Sequence, residues 1–112
     1  AQAATDNMLL LAPGATNVDV TKDRPPVFRD CFVDPYQGKM AALFVQSQGY
    51  SKVAVMYAND DDYSNGLKDA FIENCEALGI EVVDTEQCVT TDTDFTSQLS
   101  KLGYHRPGNP VR

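Results

Sequence analysis

The chain has 112 residues, 43% of them hydrophobic and 22% charged, enough for one small domain and too few for two. Sixteen acidic groups against nine basic ones give a formal net charge of -7, which argues against nucleic acid and anionic membrane as partners, because both need a basic face. The longest apolar stretch, Met8–Ala12, is far too short to span a bilayer.

Residues 1–5 read as the end of a helix, and Met8–Leu11 as a short, fully buried strand. From Pro13 to Pro26 the chain is loop, rich in Gly, Pro, Asn and Asp. Val27–Val33, "VFRDCFV", alternates apolar and polar residues as a strand does. Asp34-Pro35 breaks it and starts a helix, with Asp as the cap and Pro in the first turn. Met40, Leu43 and Phe44 stand at i, i+3 and i+4 and predict the apolar face of that helix, which Gln48-Gly49 ends.

Lys52–Tyr57 is a second apolar strand, followed by the acidic loop "ANDDDYSNG". A helix runs from about Ser64 to Leu78, with Leu67, Phe71, Cys75 and Leu78 as its stripe and Gly79 as its stop. Ile80–Val83 opens another strand, and Asp94–Leu102 a third helix with Phe95, Leu99 and Leu102 at helical spacing. Strands alternating with helices predict an α/β fold: a parallel sheet with flanking helices. The last ten residues, "GYHRPGNPVR", lack apolar periodicity and read as an irregular tail.

In open α/β sheets ligands sit beyond the carboxyl ends of the strands. Two loops hold such positions: "APGATN" after the first strand and "ANDDDYSNG" after Lys52–Tyr57. In the first, Gly14 and Ala15 let a ligand approach the backbone, whose N–H groups suit an anion such as a carboxylate. Thr16 adds a hydroxyl that donates or accepts. In the second, Asp60, Asp61 and Asp62 invite a metal reading, but consecutive carboxylates point in different directions, and the spacing of a cation loop is absent. Tyr63 stands at the strand mouth, where a ring can cover a small ligand. Cys31, Cys75 and Cys88 show no metal or redox spacing and read as buried free thiols, with one disulfide as the rival. No catalytic constellation, Walker loop or GxGxxG is present, and His105 has no paired nucleophile.

Four stretches in order, "MLLLAPGATNVDVT", "VFRDCFVDPYQGKMAALFV", "KVAVMYANDDDYSNGLKDAF" and "TDFTSQLSKL", resemble the type I periplasmic binding proteins. The similarity is to the leucine/isoleucine/valine-binding group that serves ABC importers, and it runs from about Ala1 to Leu102. It implies Rossmann-like lobes, no enzyme activity, no cofactor and no resident metal. It implies that Gly14, Ala15 and Thr16 grip the carboxylate and ammonium of a small amino acid, that Tyr63 reaches across from the second lobe, and that Phe32 to Tyr36 form a hinge strand. Residues 1–33 become the closing part of lobe 1, 34–102 the first half of lobe 2, and 103–112 the tail. The resemblance further implies that the chain is an internal fragment, because the family's other strands and the acidic partner of the ligand ammonium are not matched. It implies an ABC permease as partner of the intact protein, and a periplasmic site or tethering outside a Gram-positive cell. Uncovered sheet and helix faces in such a fragment predict self-association. Two other readings stay open: a stand-alone flavodoxin-like signalling or enzyme domain with a Mg²⁺-binding acidic loop, and the ligand-sensing domain of a receptor or regulator.

Overall fold

A computed structural model describes residues 2–103 of the chain. The expected irregular tail at 103–112, with His105, lies outside those residues except for Gly103. The elements are α1 (Gln2–Thr5), β1 (Leu10–Ala12), a 3₁₀ turn (Val18–Val20), β2 (Val27–Arg29), α2 (Asp34–Ser47), β3 (Lys52–Ala58), α3 (Asp62–Ala77), β4 (Glu81–Cys88) and α4 (Thr96–Lys101). All strand pairing among the described residues is parallel, in two separate two-stranded sheets, β1–β2 and β3–β4. The radius of gyration is 17.5 Å, where one packed domain of this length has about 13 Å. The two sheets are strung along a long axis and do not share one core.

The core belongs to the second sheet. Ala42 of α2, Cys75 of α3 and Ile80 are buried, and Val45, Val53, Phe71, Leu78 and Val82 pack against them. β3 and β4 alternate in burial, with Val53, Val55 and Tyr57 turned to the covered face and Lys52, Ala54 and Met56 to the open one. The helices approach unusually closely where α2 crosses α3. A Cβ built on Gly38 would lie 2.6 Å from the Cβ of Ala70, so glycine is what this crossing requires.

Several expectations are corrected here. The Met8–Leu11 run does pair as a strand from Leu10, but it is not buried, and Leu9 is 78% exposed. An apolar run records what a surface can bury, not what it has buried. β2 stops at Arg29, where its partner strand ends at Ala12, so it does not reach Val33. Met40 and Phe44 are exposed, and α2 meets α3 through Gly38, Ala42 and Val45 instead. The small residues win that face because they allow the close crossing. Val33, not Asp34, is the N-cap of α2; Asp34 is its first helical residue and makes no capping bond. Phe32 and Val33 form no strand, and Asp34–Tyr36 are already helix, so the expected hinge strand at Phe32–Tyr36 is two residues of irregular backbone and a helix start. Of the three cysteines, all free, only Cys75 is fully buried; Cys31 and Cys88 are half-buried.

Candidate ligand-binding site

The loop after β1 turns away from the sheet at Pro13-Gly14. Gly14 is exposed, and a Cβ there would meet nothing within 4 Å; its backbone borders open space. The amide N–H groups of Gly14, Ala15 and Thr16 donate to no described residue. These three unpartnered donors stand at the carboxyl end of a parallel strand, where an N–H can meet an anion.

The bend is held from behind. Arg29, the last residue of β2, donates from Nη1 to the carbonyls of Ala15 (2.6 Å) and Asn17 (2.7 Å) and from Nη2 to Thr21 Oγ1 (3.1 Å). Asn17 caps the following 3₁₀ turn by accepting from the Asp19 amide at 2.9 Å. The loop is therefore built, and its free donors are left over after its own bonding is complete.

Thr16 leads to a residue that the sequence reading missed. The Asp34 amide donates to the Thr16 carbonyl at 3.0 Å, which ties the loop to the start of α2. The Asp34 side chain is only 3% exposed. Both its carboxylate oxygens and the Thr16 hydroxyl are buried with no hydrogen-bond partner among the described residues. Gly66 of α3 makes room for the carboxylate, since a Cβ there would stand 2.8 Å from Asp34 Oδ2. A buried carboxylate without a donor is costly, and the neighbourhood does not supply a cation. The surrounding groove, of ≈ 320 Å³, is lined by Asn17, Asp62, Asn65 and Asp69 among others. Asp followed by Pro after a strand looks like a helix cap in one dimension, and only the fold shows that its oxygens cap nothing.

Tyr63 lies on another face of α3. It is 46% exposed and borders a second, apolar groove of ≈ 350 Å³ with Gln37, Tyr57, Leu67 and Phe71. Lys68 closes part of this groove, its Nζ 4.7 Å from the centre of the Tyr57 ring and 2.6 Å from Asp69. Within this chain Tyr63 and Thr16 thus border different spaces. The Asp60–Asp62 carboxylates diverge. Asp60 accepts from the Thr90 amide and hydroxyl (2.9 and 2.8 Å), and Asp61 caps α3 through the Ser64 amide and hydroxyl (3.0 and 2.8 Å). The Thr90 bonds hold the Asp60 carboxyl below its ordinary 3.8, and the Ser64 bonds do the same for Asp61. Among the described residues no three Asp, Glu, His or Cys groups come together as metal ligands.

Comparison with known proteins adds the context. Residues 1–107 match the sequence profile of a family described as periplasmic binding protein. The chain is 29% identical over 117 residues to a Leu/Ile/Val-binding protein of Rhizobium johnstonii, covering 94% of this chain and 32% of that protein. A crystal structure of a leucine binding protein from Thermotoga maritima superposes with a TM-score of 0.86 at 36% identity, over 89% of this chain and 29% of the other. The substrate binding protein of a branched-chain amino acid transporter from Streptococcus pneumoniae, solved with isoleucine, superposes at 0.81 with 30% identity, over 93% and 29%. The chain therefore spans about a third of the length of the curated relatives it matches.

Proposed function

The chain belongs to the periplasmic binding protein family, with the α/β fold of its type I members, and on that premise we propose that it forms part of a solute-binding receptor that captures a small amino acid, branched-chain by default. The observation that carries the reading is the run of unpartnered Gly14–Thr16 amides in the loop after β1, to which the Asp34 amide ties the start of α2 and its buried, unpartnered carboxylate. An amino acid is a zwitterion, and these groups are its complement: N–H donors for the carboxylate, a hydroxyl and a carboxylate for the ammonium.

The mechanism is capture and closure, not catalysis. Residues 1–33, with the β1–β2 sheet, close one lobe, and 34–102, with β3–β4, begin the other. The chain crosses between them at Phe32–Asp34, and closure about such a crossing buries the ligand. Tyr63, which borders a separate groove in this chain, is assigned to cover the ligand only once the lobes have closed. The closed receptor docks on an ABC permease, in the periplasm or, tethered, outside a Gram-positive cell. Taken alone, the 112-residue chain self-associates through its bare apolar surfaces, Leu9, Phe32 and Phe44 foremost at 78%, 67% and 64% exposure; light scattering of a dilute monomer would contradict that.

Calorimetric titration of the full gene product with L-leucine, L-isoleucine, L-valine and benzoate tests the reading. The three amino acids are expected to bind, and benzoate, which has a carboxylate and no ammonium, is expected not to. Benzoate binding with no amino-acid binding would refute the role given to Asp34.

A further inference from the structure

We infer that Arg29 is the positioning and polarising residue of this site, acting on the ligand carboxylate through the peptides of the loop; the inference rests on the reading of Gly14–Thr16 as the carboxylate cradle. The Ala15 carbonyl and the Thr16 amide belong to one planar peptide unit. Arg29 Nη1 donates to that carbonyl at 2.6 Å and to the Asn17 carbonyl at 2.7 Å. A cation bonded to the oxygen of a peptide draws electron density from its nitrogen, and the N–H becomes a stronger donor. That N–H, on Thr16, is one of the three with no partner.

The charge is also well placed and unspent. None of the ion pairs among the described residues involves Arg29. A half-buried guanidinium whose bonds run to three carbonyls and one hydroxyl keeps its positive field. That field lies behind the Thr16 amide, on the carbonyl side of the same peptide, and raises the selectivity of the loop for a carboxylate over its neutral amide. The forked geometry is what an arginine supplies and a lysine does not.

The test compares L-leucine with L-leucinamide, which keeps the ammonium and loses the carboxylate, by calorimetry on the full gene product. Arg29→Met is expected to weaken leucine by about tenfold, the loss of the guanidinium's field at the carboxylate and of the polarised Thr16 N–H, and leucinamide by less than about threefold, the scatter of a neutral contact. Arg29→Lys is expected to fall between, recovering charge without the fork. If Arg29 merely staples the loop, both ligands lose the same factor, and that result overturns the inference, as does unchanged leucine binding in Arg29→Met. Should Arg29→Met fail to fold, Thr21→Val removes only the 3.1 Å bond that steadies the guanidinium; it is expected to weaken leucine by about threefold with leucinamide unchanged, and an equal change or none overturns the inference. Failure of the unsubstituted protein to bind leucine or any other amino acid is a distinct outcome: it removes the amino-acid reading itself, and the inference with it.

Discussion

The β1–β2 and β3–β4 pairs are the same motif, two parallel strands in one chain, yet they are held by different forces. β3–β4 is clamped by two helices over an apolar core of Ala42, Cys75 and Ile80. β1–β2 is three residues long, keeps Leu9, Leu11 and Phe28 exposed, and owes its order to the polar staple of Arg29 on the loop behind it. The difference teaches where function sits. The apolar half is packed and closed; the β1–β2 half leaves the Gly14–Thr16 amides unpartnered and Gly14 exposed, and these are the groups that the proposed function assigns to a ligand.

The largest effect that sharpens this contrast is expected at Ile80, which is 5% exposed: Ile80→Ala costs about 3 kcal/mol of unfolding free energy, the transfer and cavity cost of a buried aliphatic side chain, read by denaturant unfolding of the chain. Next comes Gly38→Ala. The added methyl meets Ala70 at 2.6 Å, and pushing α2 off α3 costs about 2 kcal/mol; a neutral result would show that the helices do not cross as described. Weaker is an acid effect. The folded values of Asp60 and Asp61 are depressed below 3.8, so the stability they contribute is present above that pH and drains as pH falls through the lowered values. Acid unfolding is expected to steepen below about pH 4, and Thr90→Val, which removes the first cause of the Asp60 shift, is expected to flatten it. The smallest effect is expected on the open sheet: Leu9→Ala stays within about 0.5 kcal/mol, as an exposed site should, measured by the same unfolding. A cost comparable to Ile80→Ala would erase the distinction between the two halves.

The alternation of strands and helices, the parallel pairing, the α3 stripe and the glycine stops at Gly49 and Gly79 could all be read from residue pattern, because each is a local property: period, cap and positive φ (+80° and +74°). Burial could not, because it depends on what comes to lie against a surface. The Met8–Leu11 run and the Met40/Phe44 face are apolar in sequence and bare in the fold, while Gly38, which carries the tightest contact, has no side chain to signal it. That the Gly14–Thr16 loop would be open and small-residued was legible from its composition and its place after a strand. Asp34 was not, since an acid beside Pro35 has an ordinary local explanation as a cap, and its isolation arises only from the distant approach of Gly66 and the Thr16 carbonyl.

The central claim, that Thr16 and Asp34 stand unsatisfied because an amino acid's ammonium completes them, is tested most directly by calorimetric binding of L-leucine to the full gene product and to its Asp34→Asn variant. The account predicts binding by the unsubstituted protein and a loss of about tenfold or more in Asp34→Asn, which keeps the shape and removes the charge. Equal affinity in the two proteins would contradict it.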